Sequence, residues 1–172
     1  MKRIIAILCA LALLCGCAGG KADSAIKDGK TIQDVMDEVR AAYLEEYGVE
    51  EIIPMPMPVD QAYLSDLAGV PQEDIAEEAG WVSMSMTNSD AFFVVRAKSE
   101  RIDAVAEALK ARVQALRAQY EVYPVMGSYE RAQSAKVVVE SDYAFLIAVG
   151  TGDGDYDDQV DFLIDEIRAH FN

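Results

Sequence analysis

Asp153, Asp155 and Asp157 alternate within GTGDGDYDDQVDF, residues 150–162, at a spacing used by carboxylates that enclose Ca²⁺. A calcium loop also needs Gly at its sixth position and Glu at its twelfth. Counted from Asp153, those places hold Asp158 and Ile164. The three aspartates are therefore a weak metal candidate. They read more simply as an acidic helix start, with Asp155 as cap and Asp158 and Asp161 near the positive end of the helix dipole. His170 is the only histidine and has no second one with which to share a metal. No serine-hydrolase elbow, HExxH, phosphate loop or dinucleotide fingerprint occurs, and no motif asks for a cofactor. Thirty acids always offer carboxylate pairs, so a carboxylate-based hydrolase is a third-ranked reading. It would need two carboxyls about 5–10 Å apart in a cleft.

Arg112 is the most informative cation. The apolar stripe of its helix runs through Ile102, Val105, Ala106, Leu109, Val113, Leu116 and Tyr120, and Arg112 lies beside that stripe rather than opposite it. Three roles fit this position: a flank arginine burying its stem, a structural pair with a carboxylate or with the segment around Tyr123, or a ligand contact. The Met-Pro run IIPMPMPV, 52–59, serves either as a spacer packed on its own domain or as a recognition surface, since thioethers fill irregular gaps.

Charge separates these features. The chain has 172 residues, 52% hydrophobic and 26% charged, with 15 Lys and Arg against 30 Asp and Glu for a net −15. One globular domain fits that length and composition, and a disordered polyelectrolyte does not. Nucleic acid is excluded as an ordinary partner, because phosphate contacts need a positive field. Residues 31–79 carry thirteen acids and one base, whereas 90–140 carry seven acids and eight bases. The middle of the chain is thus where an anion meets least repulsion.

The elements that position these residues follow from periodicity. Thr31 with Asp34 opens a helix that Gly48 stops. Three prolines forbid helix over 54–58. Short helices are expected near Ala62–Leu67 and Gln72–Glu78. Alternation from Trp81 and the run AFFVVRA form a hairpin, and a long helix from a Ser99 cap reaches Tyr120. AKVVVES and YAFLIAVG form two more strands around Ser141-Asp142, and a last helix carries Val160, Leu163, Ile164 and Ile167 on one face. The expected fold is α+β: one domain over 31–172, with about four mainly antiparallel strands and helices on one face, in helix-ββα-ββα order.

The first twenty residues, MKRIIAILCALALLCGCAGG, supply an address. Lys2 and Arg3 precede eleven apolar residues, too few for a span of about 20 and apt for a signal segment over 1–16. Leu14-Cys15-Gly16-Cys17 resembles the lipobox of bacterial lipoproteins, which implies a diacylglyceryl anchor on Cys17. Residues 17–30 then form a flexible tether whose last thirteen residues reach about 40 Å. Cys9 and Cys15 leave with the signal, so the mature domain keeps no free thiol.

The ordered pattern AFFVVRAK, Ala111-Arg112-Val113, Glu121-Val122-Tyr123-Pro124 and KVVVESDYAFLIAV, with Tyr143 opening the last strand, resembles a family of uncharacterised lipoproteins from clostridia-type Gram-positive bacteria. The resemblance implies an α+β extracytoplasmic domain without an established enzyme activity. Arg112, Tyr123, Pro124 and Tyr143 are the candidate structural or interaction residues, and the resemblance names no ligand. The expectation is a non-enzymatic, membrane-anchored module of the cell envelope that binds another envelope protein. The alternative is a small-ligand-binding lipoprotein associated with a transporter, for which a concave apolar pocket with a few converging polar groups would speak.

Overall fold

A computed structural model describes residues 25–85, 87–125, 127–152 and 155–172. Cys17 and Asp153 lie outside the described residues. Helix α1, Ile32–Tyr47, begins where Thr31 Oγ1 accepts from Asp34 N while the Asp34 carboxylate accepts from Thr31 N, and it ends at Gly48 in the left-handed conformation. Strand β1, Pro56–Pro58, is followed by the short helix α2, Gln61–Asp66, capped by Asp60. Strands β2, Ile75–Ser83, and β3, Ala91–Ala97, form a hairpin that leads into α3, Ile102–Val122. Helix α4, Ser128–Ser134, strands β4, Lys136–Glu140, and β5, Tyr143–Ala148, and helix α5, Tyr156–Ala169, complete the chain.

The five strands make one sheet in the order β1-β2-β3-β5-β4, with every neighbouring pair antiparallel. The prolines explain why β1 is an edge, since proline cannot donate to a ladder on both sides. Strands β3 and β5 are central and buried along their length, apart from half-buried Arg96. One face presents Phe92, Val94, Phe145 and Ile147 to α1 and α5, packed with Met36, Tyr43, Leu163 and Ile167. The other presents Ala91, Phe93, Val95, Ala144 and Leu146 to Leu109 and Val113 of α3. Bulky side chains fill the face shared by two helices. Alanines on the other let α3 lie close to the sheet.

The α+β class and the antiparallel sheet agree with the sequence, but helices cover both faces of the sheet rather than one. The apolar runs AFFVVRA and YAFLIA carry the reason, because a strand without alternation must bury both sides. A fifth strand, β1, joins through the Met-Pro run, with Met57 opposite Val82. The segment Gln72–Glu78 is helical only as a single 3-10 turn at Gln72–Asp74. Strand β2 already begins at Ile75, where pairing with β3 outweighs the helix preference of Ala and Glu. Gly80 is therefore inside a strand. Its φ is +113°, and a Cβ there would collide with Phe92 O and Phe93 Cα and come within 2.9 Å of Met36 Cε. Helix α3 starts after Arg101, without the side-chain cap expected from Ser99. Residues 25–30, assigned by sequence to the tether, are docked: Ile26 is buried and bridges to Phe171. Among the described residues, no helix is long and apolar enough to cross a membrane.

Candidate functional site

Helix α3 turns two faces to its surroundings. Val105, Leu109 and Val113 pack on the sheet, while Arg112, Leu116 and Tyr120, each four residues after the last, form a neighbouring row. That row forms one wall of a concavity of about 400 Å³, a size suited to small ligands. Met57 of β1, Tyr63 and Leu67 at α2 and Val82 of β2 supply the apolar walls, and Asn88, Ser89 and Asp90 close it from the β2–β3 connection.

Helix α4 holds that connection in place. Ser89 Oγ donates to Ser128 O at 3.0 Å, and Ser128 Oγ donates to Thr87 O at 2.9 Å. Arg131 Nε lies 2.5 Å from Asp90 Oδ1 in an ion pair with both side chains buried. The Arg131 guanidinium also sits 5.9 Å from the Tyr156 ring centroid. Arg117 of α3 ties down the end of α4 by donating to the carbonyls of Ala132, Gln133 and Ala135 at 3.1, 2.9 and 2.9 Å. Burial pushes the Asp90 carboxyl up to about 6, against the opposing pull of Arg131 and Asn88. Burial also raises the Tyr120 hydroxyl, with Arg112 the strongest counter-influence.

Arg112 is half-buried. Its Nε is withdrawn from solvent without a hydrogen-bond acceptor, and no ion pair joins it to a described residue. The residues that shared its sequence pattern lie elsewhere. Tyr123 is the exposed C-cap of α3 and Pro124 is exposed beside it, and neither lines the concavity. Tyr143 is buried in the core on the α1–α5 face, its ring edge-on to Phe171 at 5.5 Å.

In the acidic loop, Asp155 caps α5 by accepting from Asp157 N at 2.9 Å, and Asp157 lies 3.8 Å from Lys136 Nζ. Among the described residues, no group of three His, Cys, Asp or Glu side chains is arranged to hold a metal ion. A second cleft, beside Thr151 and Gly152, has Asp155 and Asp158 as its charged lining residues. Gln159, which also lines it, is held by three bonds: Oε1 accepts from Tyr43 Oη at 2.6 Å and Thr151 N at 2.9 Å, and Nε2 donates to Thr151 O.

Asp90 and Arg131 were not legible as site residues. Asp90 reads as turn material, and the seven residues of α4 are too few to show a period. The one available sign was an isolated Arg in a short segment after Gly127.

Residues 49–149, more than half of the chain, match the family described as Domain of unknown function (DUF4358). That stretch contains every residue named above as lining the α3 concavity. No curated protein and no solved structure matches the chain.

Proposed function

The chain belongs to the DUF4358 family, and from that premise we propose that it is a membrane-anchored extracytoplasmic binding module that holds a small ligand in the concavity beside α3. The observation that carries this reading is the concavity itself, apolar walls around an arginine without an ion-pair partner among the described residues. Among the described residues its one lining carboxylate, Asp90, is tied to Arg131, which favours binding over hydrolysis by paired carboxylates. Anchoring rests on residues 1–17, with Cys17 as the acylated residue of a clostridia-type lipoprotein, facing outward from the cell membrane. Transfer of the bound solute to a transporter fits such a location.

Leu67 is exposed at the mouth, so Leu67→Trp narrows the entrance without disturbing the core. Small molecules released by denaturing the full chain, purified from native membranes, should be detected by mass spectrometry for the parent and lost in the variant. Equal profiles from both would reject the pocket reading. For the anchor, Cys17→Ala should move the protein out of the membrane fraction and abolish palmitate labelling.

A second reading, recognition of another envelope protein, is favoured by the exposed side chains of Met55, Met57, Leu67 and Met84. Met55 and Met84 are brought together by the bond from Met84 N to Met55 O, and Met57, Leu67 and Met84 line the concavity. In-cell crosslinking should then enrich one envelope protein, and both Met84→Asp and Cys17→Ala should lose it. Enrichment that survives Met84→Asp would remove this surface from the interaction.

A further inference from the structure

We propose that the ligand of the α3 concavity is a small organic monoanion, a carboxylate carried on an apolar body, with Arg112 as its charge partner. The inference rests on the pocket reading above and names the class of molecule it takes. On a chain of net charge −15, the charged side chains lining the concavity are Asp90 and Arg112. Asp90 is already compensated by Arg131 at 2.5 Å. Arg112 has no such partner among the described residues, and its Nε is buried there without an acceptor. A buried guanidinium N–H without an acceptor is costly, and an entering anion that accepts from it relieves that cost.

The rest of the lining narrows the anion. The Tyr63 hydroxyl at the same concavity donates to no described residue, so a second donor awaits an acceptor-bearing ligand. One uncompensated cation matches one negative charge. A phosphate dianion would bring a second charge toward Asp90. The planar guanidinium fork fits a carboxylate with two parallel bonds. Met57, Leu67, Val82 and Leu116 are suited to an apolar body and gain nothing from a bare inorganic ion.

The experiment is titration calorimetry on the full chain in detergent with phenylacetate, phenylpropionate and phenylbutyrate, each beside its uncharged primary amide. At least one acid should bind saturably and about tenfold or more tightly than its amide. Arg112→Gln should bring that acid down to the level of the amide, whereas Lys110→Gln, on the exposed side of α3, should leave it unchanged. Arg112→Lys keeps the charge but loses the fork, and should fall between parent and Arg112→Gln. It also supplies the test if Arg112→Gln does not fold by circular dichroism. Acid and amide binding equally would overturn the anion assignment and leave the pocket reading standing. Displacement of the acid by equimolar inorganic phosphate would overturn the carboxylate assignment. Absence of binding by every acid and amide would overturn both the assignment and the pocket reading.

Discussion

Asp90 and Arg131 place a carboxylate and a guanidinium out of water at the point where the β2–β3 connection meets α4. Removing one partner of such a pair strands the other. Arg131→Met should therefore destabilise the domain by about 3–5 kcal/mol at neutral pH, measured by urea denaturation. The loss should shrink toward pH 5, where the abandoned carboxyl takes up a proton. The parent shows a related dependence with a definite sign. The folded-state pKa of Asp90 is raised to about 6, so its contribution to stability is complete below the usual carboxylate range and is lost as pH rises through 6. Asp74 behaves oppositely. Its bonds from Arg101, at 2.7 and 2.8 Å, hold its carboxyl below the usual range, so its contribution is present above that range and lost on acidification. Asp90→Asn should flatten the stability curve between about pH 4 and 6 and leave the more acidic limb in place. A slope that persists there would assign it to another group. Arg112 was legible as unusual from its place beside the α3 stripe. Its lack of an ion-pair partner among the described residues was not, because that depends on where distant acids come to rest.

Elements divide into those whose own residues announce them and those made by distant partners. Helix α1 is of the first kind, its limits written in Thr31, Asp34 and Gly48. Thr31→Ala should cost about 1 kcal/mol, read as a lower denaturation midpoint. Strand β2 is of the second kind. Nothing local to QEDIAEE marks a strand, and Glu77 and Glu78 become extended because Arg96 and Val95 of β3 lie opposite them. Helix α4 was missed for its length, and it is the element that fixes the Asn88–Asp90 wall of the site. Gly80 links the two sheet faces, since the missing Cβ lets β3 and Met36 close in on β2. Gly80→Ala must displace β3 backbone or α1, and should destabilise by about 2–4 kcal/mol with loss of near-ultraviolet circular dichroism around Trp81. A change within a few tenths of a kcal/mol would show that the strand accommodates a side chain there.

Over the whole molecule, alternating and continuous apolar runs revealed the fold class, but the second covered face and the concavity emerge only when β1, α2, the β2–β3 connection and α3 converge. Those segments are spread from Pro56 to Val122, and no local period records their meeting. Charge carries over better: residues 90–140, where bases balance acids in an otherwise acidic chain, contain α3 and α4, which carry Arg112 and Arg131. The two ends of the described domain also meet. Asn172 N donates to Ala25 O at 3.0 Å, Lys27 N donates to His170 O at 2.9 Å, and Ile26 bridges to Phe171. The chain thus runs almost as a closed ring, and the ring can be cut elsewhere. A circular permutant joining Asn172 to Ala25 through a short glycine-serine linker, and opened in the tight turn between β4 and β5 at Ser141-Asp142, should keep the fold and the concavity. Such a molecule would carry a new terminus at the opposite margin of the sheet from β1. A reporter could be attached there without touching the mouth of the site.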